Sequence, residues 1–199
     1  MNLSFQAKAP IFRKCVLLAM FLSLSLPAYG GMIWGVSSQW QNLSFQPEEQ
    51  EDTPNFYGLG LRGDFGYSVA KSVEARLFAS YNYSNKGAAK FFEGDVNIGS
   101  YGASIGVRLV DSVYLGVEYG VLYYHTPSHH IHNEYVGRWD GTTLNLNLAG
   151  YWKAGRKSYW QVGLQLGGGS LLEEDSVDDE ERKVDTIALN VTYLFISPK

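Results

Sequence analysis

The stretch "VYLGVEYGVLYYH", residues 113–125, alternates without interruption: Val113, Leu115, Val117, Tyr119, Val121 and Tyr123 fall on one side. Successive side chains of a strand point to opposite faces. The other face therefore carries Tyr114, Gly116, Glu118, Gly120, Leu122 and Tyr124. A soluble barrel would turn the fully apolar face inward, whereas a membrane barrel would turn it toward lipid. What Glu118 faces decides between the two.

Seven more segments repeat the pattern, at about 31–43, 56–67, 72–83, 97–109, 142–152, 159–168 and 184–195. Each is close to the roughly ten residues that a tilted membrane strand needs, and helical spacing fits none of them as well. The connections alternate in length. Those built around "SVAK", "VDSV" and "KAGRKS" are short, while those at roughly 46–55, 84–96, 125–141 and 169–183 are long and polar. This predicts an all-β fold, an eight-stranded antiparallel up-and-down transmembrane β-barrel, with the long connections at one end and both termini at the other.

The composition of the second face decides its direction. It holds Gly58, Gly60, Gly66, Gly102, Gly106, Gly116, Gly120, Gly163 and Gly167 among Arg62, Asp64, Glu74, Arg76, Arg108, Glu118, Gln161 and Gln165. Exposed strand positions favour residues such as Thr and Lys over Gly, so a crowded lumen explains these glycines better. Three arginines and three carboxylates can cancel inside it. Leaving one buried charge alone costs about 3–5 kcal/mol, which predicts lumen ion pairs among Arg62, Asp64, Glu74, Arg76, Arg108 and Glu118. A three-residue loop at Val69, Ala70 and Lys71 would set Asp64 across from Arg76; in the hairpin of the fourth and fifth segments, Glu118 would sit within one diagonal step of Arg108.

The aromatics are banded along the strands. Trp34, Tyr67, Trp152, Trp160, Tyr193 and Phe195 fall at the short-turn end, and Trp40, Tyr57, Tyr81, Tyr83, Tyr101 and Tyr123 at the other, with Leu, Val and Ala between. Two belts around an aliphatic waist suit two bilayer interfaces. Strand propensity for Tyr and Trp does not explain the banding.

Residues 1–30 have a secretory layout: Lys8, Arg13 and Lys14 precede "CVLLAMFLSLSL", Pro27 and the small-residue site "AYG". They are expected to be a signal peptide cleaved after Gly30, leaving residues 31–199 as the barrel domain. Cys15, the only cysteine among 199 residues, lies inside this segment, at the start of the apolar run rather than after it. That position argues against lipidation, and its removal leaves no thiol chemistry. Removing the three basic residues leaves 13 basic groups against 20 acidic ones, with no basic cluster to suggest nucleic acid.

On these features the chain resembles the small eight-stranded outer-membrane barrels of the OmpA transmembrane domain, OmpX and opacity-protein type. The resemblance covers residues 31–195 and includes the closing run "IALNVTYLF". It implies an outer-membrane location reached through the periplasm, contact with outer-membrane lipids and lipopolysaccharide, and recognition of Tyr193 and Phe195 by the barrel-assembly machinery. The added "ISPK" departs from that family's terminal signal.

All four histidines, His125, His129, His130 and His132, lie in one long connection with Glu134 nearby. Imidazoles and a carboxylate suit Zn, Cu or Ni, but the spacing matches no fixed metal motif, and a solvated or pH-responsive loop is the favoured reading. His125, Ser128 and Glu134 bear a superficial likeness to outer-membrane lipopolysaccharide deacylases. There the His and Ser stand two apart on one strand, and position 127 here is Pro. The fourth long connection, "GGGSLLEEDSVDDEERK", is strongly acidic, a pattern usual for a solvated loop. The first, "QPEEQEDTPN", is acidic too, which points to basic protein partners. The expectation is a non-enzymatic surface protein without cofactor, its long loops contacting host or surface proteins in envelope integrity or adhesion. A narrow ion-conducting pore is the alternative, and a lipopolysaccharide-modifying enzyme a distant third.

Overall fold

A computed structural model describes residues 31–46, 55–70, 72–86, 96–110, 112–126, 137–173 and 181–197. The signal segment and most of the long connections lie outside them. The described chain forms eight strands: β1 (Met32–Phe45), β2 (Asn55–Ser68), β3 (Val73–Lys86), β4 (Val96–Val110), β5 (Val113–Thr126), β6 (Gly137–Lys153), β7 (Ser158–Glu173) and β8 (Glu181–Ile196). Each pairs antiparallel with its sequence neighbour, and β8 pairs with β1, so the sheet closes into a barrel with no free edge. The all-β, eight-stranded architecture expected from alternation is the one observed.

The strands run farther than the sequence segments at the long-connection end, above all in β6, β7 and β8. Part of what reads as polar loop, including Trp139, Leu171 and Arg182, is paired strand with side chains buried in the interior. The closure is staggered. Crossing the sheet from Gly35 through Asp64, Phe78, Gly102, Gly120, Thr143, Gly169 and Val184 leads back to β1 at Phe45, ten residues along the strand. Strand tilt of this kind is what closes a sheet into a barrel, and eight strands leave a bore that side chains can fill.

The faces partition as the inner and outer walls of that barrel. Val117, Leu146 and Ile105 are 42%, 60% and 59% exposed, while Glu118, Arg62 and Glu74 are 1%, 5% and 1% exposed. A soluble protein shows the reverse. Among the described strand residues, the exposed charged side chains apart from Lys153 at the short-turn end of β6 are Arg138, Asp140, Glu181, Lys183 and Asp185, toward the long-connection ends of β6 and β8.

Inside, the filling is layered. At the long-connection end Leu43, Phe45, Phe56, Val96, Ile98, Leu122, Tyr124, Trp139, Leu171 and Val184 form one apolar cluster, each at most 1% exposed. Phe45 is its hub, with its ring edge-on to Phe56, Tyr124 and Trp139 at 6.0, 5.5 and 6.3 Å. Near the short-turn end Ile33, Tyr114, Ala149, Tyr151 and Leu194 form a second cluster. Between the two lie amides, hydroxyls and the ion pairs of Arg62, Asp64 and Glu118, while Glu74, Arg76 and Arg108 pack among Tyr114 and Tyr151 of the second cluster.

Candidate functional site

The interior layer of charge is built from inward positions of β2, β3, β4 and β5. Arg62 and Asp64 are two apart on β2, so both point inward, and Arg62 Nη2 donates to Asp64 Oδ1 at 2.8 Å. The same guanidinium reaches across the bore to β5, where Nη1 and Nη2 donate to Glu118 Oε1 and Oε2 at 3.1 and 2.7 Å. That two-pronged geometry is the strong form of the arginine–carboxylate pair. Gln165 Nε2 donates to Glu118 Oε1 at 2.6 Å from β7.

A second group lies closer to the short-turn end. Glu74 accepts from Arg76 on its own strand and from Arg108 on β4. Arg76 also donates to Tyr151 and, at 3.2 Å, to Gln161 Oε1. The two groups are complementary in count: two carboxylates share one arginine in the first, and two arginines share one carboxylate in the second. Between them is a small polar cavity with room for about one water molecule, lined in part by Arg62, Asp64, Arg76 and Asn190.

The structure brings the six charged residues named from sequence into these two groups but corrects two partners. Asp64 stands across from Phe78, and Arg76 across from Gly66. The hairpin closes two residues out of the expected register, Ser68 pairing with Glu74 and Val69 N–H donating to Val73 O at 2.8 Å, so that Val69 and Val73 flank the turn. Glu118 pairs with Ser104, and Arg108 with Tyr114 four residues away, beside a register shift at Arg108/Val110. Glu118 therefore meets Arg62 across the bore, not Arg108.

Several partners are not evident from the sequence. Each guanidinium lies over an aromatic ring: Arg62 over Phe78 at 4.4 Å, Arg76 over Tyr114 at 5.0 Å and Arg108 over Tyr151 at 4.9 Å. Such placement adds a cation–π attraction and shields the charge from solvent. Phe78 and Tyr151 share the inward parity of their strands, a signal present in the sequence, but which ring meets which arginine depends on strand register for Arg62 and Phe78 and on the curvature that brings β4 to β6 for Arg108 and Tyr151. The apolar cluster at the long-connection end also leaves a trace in the sequence. Leu43, Phe56, Ile98, Leu122 and Tyr124 interrupt the Gly-plus-ionic face at one end of their strands.

Glycine makes the room. Gly102 and Gly120 are directly paired on the inner wall. A Cβ at Gly102 would lie 2.2 Å from Tyr119 O and 3.0 Å from the Phe78 ring. The glycine pair is thus a floor for Phe78, and Phe78 in turn supports Arg62.

Of the histidines, His125 is half-exposed on the outward face of β5, level with Asn97 and Arg138. His129, His130, His132, Ser128 and Glu134 lie outside the described residues. Tyr193 and Phe195 lie on the outer wall, their rings 4.9 Å apart, and Phe195 stacks on Trp34 at 4.2 Å.

No family model matches the chain, and no curated protein matches it. Solved structures do. Neisserial surface protein A aligns with a TM-score of 0.56 at 13% identity, over 83% of this chain and 96% of that one. The outer membrane protein AlkL, determined by solid-state NMR in DMPC lipid bilayers, aligns with a TM-score of 0.56 at 12% identity, over 85% and 91%. At such identities the likeness is one of fold, and the fold is that of the small eight-stranded outer-membrane barrels.

Proposed function

We propose that the chain is an integral outer-membrane protein that acts at the cell surface without catalysis, its barrel a scaffold for the four long connecting segments. One observation carries the reading: the waist of the wall exposes an apolar surface while Arg62, Asp64, Glu74, Arg76 and Glu118 are buried inside. Soluble monomers rarely expose apolar patches beyond a few hundred Å², and a closed barrel satisfies every wall amide without water. The names of the two structural neighbours, a surface protein and an outer membrane protein, support the same location.

The filled bore favours a scaffold over a pore. An apolar cluster closes the bore at the long-connection end, and below it the ion pairs fill the interior with their own partners. An ion would have to cross that cluster without polar contacts to replace its hydration shell. Function then rests with the connecting segments, where loops on a rigid scaffold usually carry it. Residues 47–54 include Glu48, Glu49, Glu51 and Asp52, and residues 174–180 include Glu174, Asp175, Asp178, Asp179 and Glu180. That charge suits basic host or surface proteins. The outward-facing, half-exposed Tyr193 and Phe195 of β8 are the residues for the assembly machinery to read.

Heat-modifiable gel migration of membrane-extracted protein, together with protease cleavage within residues 174–180 on intact cells, tests the proposal. Recovery of processed protein from the periplasm in soluble form without detergent would overturn it.

A further inference from the structure

Lys153, Arg156 and Lys157 are exposed around the tight turn that joins β6 to β7. The N–H groups of Ala154 and Gly155 donate to Ser158 O at 2.9 and 3.1 Å, and Ile196 N–H on β8 donates to Lys157 O at 2.9 Å. The backbone that presents the three cations is therefore fixed to the barrel wall. Among the described residues no carboxylate pairs with any of the three.

Immediately up the wall, Trp152 and Trp160 are cross-strand partners, 57% and 47% exposed. Gly150 seats the Trp152 indole, since a Cβ there would lie 2.9 Å from the ring. The aromatic row continues around the wall: Trp160 against Tyr193 at 4.9 Å, Tyr193 against Phe195 at 4.9 Å, and Phe195 on Trp34 at 4.2 Å. Trp and Tyr settle at headgroup level, so cations just beyond the row reach the depth of lipid phosphates, and long Lys and Arg stems can extend there along the rings. At the opposite end the outward charges are mixed and the connecting segments acidic. Among the described residues, the concentration of exposed cations without acidic neighbours is thus at the short-turn end.

We infer that the β6–β7 turn and its aromatic row form a binding surface for anionic phospholipid headgroups in the leaflet at the short-turn end. This rests on the membrane reading given above. Each Lys or Arg near an anionic surface contributes about a fivefold preference, falling off within a Debye length.

The test uses the full barrel reconstituted into phosphatidylcholine bilayers containing phosphatidylglycerol, with bromine on the acyl chains of one lipid or the other. Tryptophan quenching should favour the brominated anionic lipid over the brominated zwitterionic one. The Lys153→Gln/Arg156→Gln/Lys157→Gln variant should lose about tenfold or more of that preference, and Arg156→Lys should keep it. Equal quenching by the two lipids in the wild-type barrel overturns the proposal, as does a preference that survives in the triple variant. Failure of the wild-type protein to incorporate into any bilayer, read from heat-modifiable migration, would instead overturn the membrane reading.

Discussion

Arg62 Nη2 lies 2.7 Å from Glu118 Oε2, although one residue stands on β2 and the other on β5. The contact spans the bore, and no pair of neighbouring strands makes it. It joins opposite sides of the wall through a pair that is 5% and 1% exposed.

Removing Arg62 strands two carboxylates, Asp64 and Glu118, in that interior. Arg62→Met is expected to destabilise the barrel by about 3–5 kcal/mol, read from urea-induced unfolding in lipid vesicles. The combined variant Arg62→Met/Asp64→Asn/Glu118→Gln should recover most of the loss, because no unpaired charge remains. Equal stability of Arg62→Met and wild type would mean that water reaches this layer freely.

The glycine floor makes a sharper contrast. Gly102→Ala places a methyl group against Tyr119 O and the Phe78 ring, and such overpacking costs about 1–3 kcal/mol. A methyl group added at Gly63, on the outer wall of β2, would meet nothing within 4 Å, so Gly63→Ala should stay within about 0.5 kcal/mol. The same unfolding titration compares the two.

Direction of the apolar wall is tested by a charge. Val117→Arg or Leu146→Arg is expected to cost about 2–4 kcal/mol for folding into bilayers, whereas Asp185→Arg at the rim should cost about 0–1 kcal/mol. A soluble barrel would tolerate all three alike.

Planar-bilayer recording of the reconstituted protein should show no steady conductance. A steady conductance that changes in Arg76→Gln or Glu118→Gln would establish the pore in place of the plug.

Zinc or copper titration of purified protein should show no saturable binding at micromolar metal. Loss of a measured site on replacing His129, His130 and His132 with Ala would show instead that the histidine segment is a metal site.

What was legible in the sequence follows from the period of two. Alternation names the members of each face for all eight strands, and the glycines and charges beside Glu118 identify the inner one, because only a closed, narrow interior uses both. Short turns at Val69, Ser112 and Gly155 then dictate neighbour pairing, and with it the order of the barrel. Register is less constrained. Sliding β3 by two residues against β2 keeps every side chain on its own face, so the apolar match that placed Asp64 opposite Arg76 is satisfied equally by the observed Asp64–Phe78 pair.

Contacts across the bore are a step further from the chain. Arg62 meets Glu118, and Phe45 gathers Tyr124 and Trp139, only after the sheet has closed with its stagger of ten residues. Local pattern carries which wall a residue faces, because side-chain direction is set by the backbone two residues at a time. Which residue it touches there is a property of closure, since tilt and stagger bring distant strands to one level and no spacing along the sequence encodes that meeting.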